Sequence, residues 1–398
     1  MPPPASDYHY PLIVLTCLIH MLTYGQMTVS TDFTDVLLNK TNSNYDDLVF
    51  MFGTELSFFY FSAIIVSLGI EYRATMICGY LIWLIGYCFS FGFFDGDFYS
   101  YRMSFAFFAG LGSGIMYWYT YKALLDNTVS DKVRFIEAGA LSLFPALYGI
   151  FYNRTVATNW ILLLIVYLPV GTVVIFVYLL YVTLEKKKQK RLNFFKFSLY
   201  TIEEDDERDD SDMQIKILSP AYLLGVTFLY TTNYLVAYQF LSLSLWVTLP
   251  GELLMLFGKL VYWVLSFQLK DLRPCWMFSA SFFVTVSMAI LPTTDVAYII
   301  FGVFYGISNG VLMTMVYQML SLSSEKAMSH SRKLPYLLLT SFFMGLGTFL
   351  GTIYAYQVHS NLQLASFGFS LLSTLCFSCT LGTRKIHREI DLSTLCPE

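Results

Sequence analysis

The chain has 398 residues, of which 56% are hydrophobic and 18% aromatic, against 13% charged. This apolar share exceeds what a soluble core of such a length requires, so the composition indicates a membrane protein. The net charge of −4 and the lack of a basic soluble domain argue against nucleic-acid binding.

Twelve apolar stretches approach the roughly 20 residues that a helix needs to cross a bilayer. They lack the short alternating pattern of membrane β-strands. The sequence therefore predicts an all-α membrane protein with twelve transmembrane helices. The predicted spans are 10–31, 47–69, 75–94, 101–122, 134–152, 159–183, 217–241, 249–268, 275–292, 296–320, 334–356 and 363–382.

The basic residues predict the orientation, because short loops rich in Lys and Arg stay in the cytosol. With both termini cytosolic, 19 of the 24 Lys and Arg residues fall on the cytosolic side. The N-glycosylation sequons at Asn39 and Asn153 then both lie in external loops. We expect a multi-pass protein of the plasma membrane or an endomembrane, inserted by its first span without signal cleavage.

The seven cysteines are scattered through spans and cytosolic segments, which argues against a disulfide framework. Cys376 and Cys379 have CxxC spacing but no accompanying ligands in the last span. No P-loop or HExxH motif is present, and the GxSxG spacing at 306–310 (GISNG) falls inside an apolar span rather than at a nucleophile turn. We therefore expect no enzyme activity, no metal and no cofactor.

A charged segment divides the chain into two halves. Residues 185–216 begin with a basic run and end with an acidic run, and such a segment buries too little apolar area to fold alone. We predict a largely disordered cytosolic linker between a six-helix bundle at 1–184 and another at 217–398. It serves either as a tether at the inner leaflet or as a regulatory loop.

The two halves repeat each other. Residues 110–116 (GLGSGIM) return 196 positions later as residues 306–312 (GISNGVL), each within the fourth span of its half. Glycines let helices approach closely, which serves packing in the membrane and also sliding between helices. Internal repeats in a membrane protein are typical of secondary transporters.

Two six-span halves joined by a charged cytosolic loop resemble the major facilitator superfamily. Its signature after span 2 has a degenerate match at 69–73 (GIEYR), and the second half has KDLRP at 270–274. This resemblance implies two pseudo-symmetric bundles. It implies conformational gating by Arg73, Asp271, Arg273 and Arg134.

Within that superfamily the chain is most similar to the monocarboxylate transporter group. The similarity lies in Tyr24-Gly25, in the glycine-rich span 4, and in Arg134 followed by Gly139. The Lys that this group often has after the Tyr-Gly pair is replaced by Gln-Met-Thr-Val at 26–29, and its Asp-x-x-x-Arg pattern in span 8 is missing. A monocarboxylate-like anion is the substrate that the resemblance implies.

Two residues of the first half are candidates for proton coupling. Glu55 lies deep in span 2, where desolvation favours a neutral carboxyl group; hydrogen bonds to neighbouring Ser and Tyr groups are the structural alternative. His20, near the middle of span 1, titrates near neutral pH. A hydrogen bond between helices would explain His20 equally well.

Glu252 and Lys259 are the ionisable pair of span 8. A spacing of seven places both on one helix face, about 10 Å apart along the axis. A cation at this depth favours an anionic substrate, while Glu252 is a further candidate for proton coupling. A packed ion pair is the alternative.

Other polar residues of the expected cavity helices would orient a small ligand by hydrogen bonds and stacking. Arg102 and Lys122, near the ends of span 4, are expected to reach the headgroups. The candidate ligand contacts are Asn233, Gln239, Asn309, Tyr117 and Tyr121.

The sequence thus predicts a protein of the lipid bilayer that carries a small organic solute by secondary transport. Uptake of labelled solutes by proteoliposomes would test this prediction. The competing hypothesis is a protein of transporter shape that acts as a receptor, chaperone or ancillary subunit of another membrane protein. The degenerate signature around Arg73 favours this alternative. Binding of a protein partner without any response to metabolites would distinguish it.

Overall fold

In the computed structural model of the chain, the described residues are 10–27, 37–38, 44–67, 72–94, 98–127, 140, 160–196, 219–240, 245–268, 273–290, 292, 294–325, 330–358 and 361–394. These residues are almost entirely helical. Six of their helices are long and apolar enough to cross a membrane. The predicted all-α membrane architecture is confirmed, with span 5 lying outside the described residues apart from Ala140.

The first half carries helices that match the predicted spans 1 to 4 and 6. A π-helical turn, Met21–Gly25, extends the first helix, and a 3-10 turn, Ser90–Phe94, ends the third span. Ser62 interrupts the second span. The helices are α1 (Tyr10–His20), α2 (Tyr45–Phe61), α3 (Ala63–Ser67), α4 (Tyr72–Phe89), α5 (Phe98–Asn127) and α6 (Trp160–Lys196).

The second half carries one helix for each predicted span. Most ends lie within a few residues of the predicted ones, but the fourth and sixth helices extend beyond their predicted C-terminal ends. The helices are α7 (Pro220–Phe240), α8 (Leu245–Gln268), α9 (Arg273–Met288), α10 (Asp295–Glu325), α11 (His330–Gln357) and α12 (Leu362–Thr394).

The linker predicted from residue 185 overlaps the end of α6, which continues to Lys196. Glu, Lys, Gln and Arg, which fill residues 185–191, are good helix formers. The chain therefore leaves the membrane region as a helix. The rest of the predicted linker, from 197 to 216, including its acidic run, lies outside the described residues.

The two halves share one pattern of neighbours. Helix α2 packs against α5 as α8 packs against α10, and α1 packs against α6 as α7 packs against α12. Helix α4 contacts α5 and α6, as α9 contacts α10 and α12. The sequence repeat is therefore also a structural repeat.

Glycines fix the closest helix contacts at equivalent positions of both halves. A Cβ added to Gly110 would overlap the carbonyl oxygen of Glu55, and one added to Gly306 would overlap that of Gly251. Gly114 and Gly310 face the carbonyl oxygens of Phe59 and Met255 in the same way. Each glycine and each carbonyl partner of the second half lies 196 positions after its equivalent in the first half. The repeat predicted from sequence therefore sets how α5 docks on α2 and how α10 docks on α8.

The interiors of the halves differ in chemistry. In the first half, Trp83, Tyr87, Tyr167 and Phe105 pack together, with the Tyr87 ring edge-on to Phe105 at 5.3 Å. In the second half, hydroxyl groups join the helices. Ser281 and Thr285 of α9 contact Thr374 of α12 at 2.7 and 3.0 Å, and Thr231 of α7 donates to the Gly347 carbonyl of α11 at 2.9 Å.

Glycine-to-alanine changes test this packing. We expect Gly110→Ala and Gly306→Ala to lower stability by about 1–3 kcal/mol, because the added methyl group meets a backbone carbonyl that cannot rotate away. The measurement is the midpoint of thermal unfolding of the detergent-purified protein. Gly368→Ala is the matched control, since no atom lies within 4 Å of its added Cβ. Equal losses at Gly368 and Gly110 would contradict the interpretation.

Candidate functional site

The two bundles meet along α2, which packs against α11 of the other half and reaches α7 through side-chain contacts. We call this contact surface the seam. We describe it at two levels: the first level at the first residues of α2, and the middle level at its last residues, Tyr60 and Phe61, which lie near the middle of the predicted span 47–69. The levels differ in the chemistry of their side chains.

The first level is closed by tyrosines. The Tyr45 ring lies edge-on to Tyr238 at 5.5 Å, and the Tyr238 hydroxyl donates to Asp46 Oδ1 at 3.1 Å. One turn along α2, the Tyr234 hydroxyl donates to the Val49 carbonyl oxygen at 2.5 Å. Tyr238 and Tyr234 belong to α7, so these bonds hold the two bundles together at this level.

On the side of α11, the contacts of the middle level are apolar. The Phe61 ring packs on Phe342 of α11 at 5.5 Å, and Gly345 of α11 leaves room for Tyr60 and Phe61. Toward α11 the middle level carries ring packing, whereas the first level carries hydrogen bonds.

The middle level is an aromatic cluster shared by both bundles. The Tyr60 ring lies edge-on to Tyr230 of α7 at 5.2 Å, and its hydroxyl donates to the Tyr24 hydroxyl at 3.4 Å. Tyr24 lies in the π-helical turn of α1, a local irregularity that often marks functional positions. Tyr24 is also within electrostatic range of the Tyr305 hydroxyl of α10.

A chain of amide and phenol groups continues this level into the second bundle. The Tyr305 hydroxyl donates to Asn233 Oδ1 at 2.7 Å, and Asn309 Nδ2 donates to the Tyr305 oxygen at 3.2 Å. The Asn233 amide nitrogen in turn lies 3.4 Å from the Met313 sulfur. Asn309 is 3% exposed, and its Oδ1 has no hydrogen-bond partner among the described residues. An unsatisfied buried polar atom costs about 1–3 kcal/mol, so this oxygen is available to a ligand or to a group outside the described residues.

Lys259 lies at the same depth in the membrane as this series of hydrogen-bonded side chains. Helices α8 and α10 run parallel, because their facing residues ascend together: Gly251 contacts Gly302, and Met255 contacts Gly310. The Lys259 backbone nitrogen lies 3.2 Å from a Cβ added to Gly310. Lys259 is therefore level with Asn309, which precedes Gly310.

Helix geometry places Lys259 and Asn309 on the same side of this helix pair. Lys259 follows the contact residue Gly258 by one position, a rotation of about 100°, and Asn309 precedes the contact residue Gly310 by one. For parallel helices that face each other, opposite rotations lead to the same side. Asn309 reaches α7 there through Tyr305, so this side faces the seam. Glu252, half-buried seven residues before Lys259, shares that face.

His20 forms the helix contact that the sequence left as an alternative. Its Nε2 lies 3.0 Å from Thr120 Oγ1 of α5, and its ring stacks on Tyr117 at 4.0 Å. Thr120 gives its own proton to the Met116 carbonyl, so Nε2 is the donor toward Thr120. Tyr121 stacks on Tyr117 at 6.2 Å and completes this buried stack.

Glu55 lies in the interior of the first bundle, 1% exposed. Neither carboxyl oxygen has a hydrogen-bond partner among the described residues, so the expected bonds to Ser and Tyr groups are not found there. The Tyr167 hydroxyl is within electrostatic range, but it donates to the Leu22 carbonyl. A carboxyl group in such surroundings is a place to hold a proton.

Two other polar residues connect helices inside one bundle. Gln239 donates from Nε2 to Ser366 Oγ of α12 at 3.1 Å, which ties α7 to α12. Arg102 does not reach outward as expected: it is 6% exposed and pairs with Asp47 of α2 at 3.6 Å. The carboxylate at the start of α2 holds the guanidinium inside the bundle.

The gating residues implied by the family resemblance are only partly described. Arg73 is exposed in the first turn of α4, and Arg273 is the first residue of α9. Asp271 and Arg134 lie outside the described residues, as do the sequons at Asn39 and Asn153. No group of three or more potential metal ligands occurs within the described ranges.

Sequence reasoning missed three tyrosines of the middle level: Tyr60, Tyr230 and Tyr305. Tyr305 had a usable signal, because it precedes Asn309 by four residues and so shares its helix face. Tyr60 and Tyr230 belong to different halves. Nothing within one helix identifies their contact.

No protein-family model and no curated protein matched the sequence. Solved structures did match, among them the xylose transporter XylE from E. coli in a partially occluded inward-open conformation, with a probability of 1.00. That match has a TM-score of 0.67 at 11% identity and covers 94% of this chain and 97% of the other. Together with its apolar helices, this gives the chain the major facilitator fold of an integral multi-pass membrane protein.

The first level of the seam yields a testable prediction. We expect Tyr238→Phe to open this level roughly fivefold more often, because it removes the bridge to Asp46, worth about 1 kcal/mol, and keeps the ring. The measurement is the rate at which a thiol reagent labels Val49→Cys in a background without the seven native cysteines.

Gln239→Leu is the control for that experiment. It also removes a side-chain hydrogen bond from the end of α7, but that bond stays within the second bundle. Its labelling rate should equal that of the parent protein. Similar acceleration in both variants would show that general loosening of α7, rather than the bridge, controls opening.

Proposed function

We propose that the chain is a secondary transporter that carries a small organic solute across the membrane by alternating access. The polar aromatic and amide cluster at the middle of the seam is the observation that carries this proposal. It lies where the two bundles meet, and transporters with repeated halves bind solutes at such interfaces. The major facilitator fold supports the same interpretation.

We place both termini in the cytosol, on the charge asymmetry of the loops. In that orientation the first level of the seam, with Tyr45, Asp46 and Tyr238, faces the outside. The hydrogen bonds that close it then belong to a state sealed toward the exterior. Transport requires these bonds to break while the other end closes.

We propose an organic anion, such as a monocarboxylate, as the solute. Lys259 supports this choice, since a lysine on the seam side of α8 supplies positive potential beside Asn309. An ammonium group in the membrane interior costs several kcal/mol unless a charge partner or a polar cavity compensates it. Glu252 on the same face is the counter-ion that would hold Lys259 when no solute is bound.

We propose Glu55 as the proton-coupling residue, with His20 as a second candidate. Glu55 carries two buried carboxyl oxygens without a hydrogen-bond partner in the described part of the chain. Its charged form becomes favourable only when water or a cation reaches it. A change between the two access states provides such a change in hydration.

Uptake by proteoliposomes tests the anion. The probes are labelled lactate, pyruvate and, because the similar solved structure is a xylose transporter, xylose. We expect Lys259→Ala to lower carboxylate uptake about 10- to 100-fold, since a charged hydrogen bond contributes about 1.5–3 kcal/mol. Lys122→Ala, which removes another half-buried lysine from a membrane helix, should change uptake less than twofold. Xylose uptake without carboxylate uptake would exclude the anion.

A second measurement separates coupling from binding. We expect Glu55→Gln, a change of similar shape without a titrating proton, to retain exchange of labelled for unlabelled solute at equal pH. Accumulation driven by a pH gradient should be lost, because no proton is carried. Retained pH-driven accumulation would exclude Glu55, and His20→Gln would then be examined in the same assay.

A further inference from the structure

The direction of the hydrogen bonds at the middle of the seam follows from one sulfur atom. The Met313 thioether accepts weakly and never donates, so the Asn233 group beside it must be the amide nitrogen. The Asn233 oxygen therefore faces Tyr305. This removes the ambiguity between oxygen and nitrogen that an isolated amide has.

Each later bond is then determined. The Asn233 oxygen only accepts, so Tyr305 gives its single hydroxyl proton to it at 2.7 Å. With that proton used, the Tyr305 oxygen is an acceptor, and the Asn309 atom 3.2 Å away must be the amide nitrogen. The chain of bonds runs from Asn309 through Tyr305 and Asn233 to Met313.

The result is a carbonyl oxygen at Asn309 that accepts hydrogen bonds and has no partner among the described residues, on a side chain 3% exposed. It lies on the seam side of α10, level with Lys259 of α8. Its equivalent in the first half, 196 positions earlier, is Ser113, whose hydroxyl can either donate or accept. Only the second half presents a fixed acceptor here.

We infer that Asn309 is a specificity-determining residue. It selects solutes that carry a hydroxyl or N–H donor next to the group that Lys259 attracts. The inference rests on the proposed function in one respect, namely that a solute occupies the seam. A donor satisfies the Asn309 oxygen, whereas a solute that lacks one leaves this oxygen desolvated and unpaired. A hydroxy or amino acid is therefore preferred over its deoxy analogue.

Matched probe pairs test the inference in proteoliposomes. Lactate and propionate differ by one hydroxyl group, as do the uncharged esters methyl lactate and methyl propionate, and the deoxy member of each pair has no hydrogen-bond donor. Uptake is counted above that of protein-free liposomes. We expect wild-type protein to take up the richer donor of a pair about tenfold faster. Asn309→Leu, of similar volume, should bring the ratio close to one by slowing the preferred solute.

Two further variants separate selection from folding. Met313→Leu leaves Asn309 in place but removes the sulfur that orients the chain, so the ratio should fall partway. Gln239→Leu, which removes the other amide of α7, should leave the ratio unchanged. The ratio within one variant is independent of how much protein folds, because both probes report on the same preparation.

The outcomes are distinct from those that test the anion. Loss of selectivity in Asn309→Leu for the uncharged pair alone would support the role of Asn309 and contradict the anion proposal. The inference is overturned if the wild-type ratio is near one in both pairs, if neither pair enters the liposomes, or if Asn309→Leu keeps the wild-type ratio.

Discussion

Backbone contact at glycine is the constraint from which the rest of the structure follows. Gly110 and Gly114 place α5 directly on the carbonyl oxygens of α2, and Gly306 and Gly310 do the same for α10 on α8. In a membrane, lipid tails are as apolar as the side chains, so close packing replaces the hydrophobic effect as the source of helix affinity. With one face of α2 fixed in this way, its opposite face is available to the other bundle, and the seam forms there.

The repeat is symmetric in backbone contacts and asymmetric in chemistry. Ala63 occupies the position equivalent to Lys259, Ser113 the position equivalent to Asn309, and Gly251 the position equivalent to Glu55. The second bundle therefore holds the cation and the fixed acceptor, while the first holds the buried carboxyl group. In the function proposed above, the two halves share their docking surfaces, while recognition falls to the second half and proton exchange to the first.

Much of the fold was predictable from the sequence, because apolar runs and the glycine repeat are local patterns. The glycines predicted close packing, although not that their partners are the carbonyls of Glu55 and Gly251. The candidate site was predictable in part: Asn233 and Asn309 were selected for depth and polarity, and they share Tyr305. Gln239 satisfied the same criteria but bonds to Ser366. The depth of a residue in the membrane follows from its position within one helix. Its contact partner depends on how helices from distant parts of the sequence pack together.

The two faces of α2 differ in what a conformational change must break. Toward α5, carbonyl oxygens contact glycines, and separating them would open voids along the whole helix. Toward α7 and α11, the contacts are tyrosine hydroxyls and aromatic rings, such as Tyr238 with Asp46 and Tyr60 with Tyr230, whose rotamers can change one at a time. Each such bond contributes about 1 kcal/mol, and a released hydroxyl can be satisfied by water that enters the opening seam. The bundles are therefore expected to move as rigid bodies about the seam, because its side-chain contacts can be exchanged one at a time.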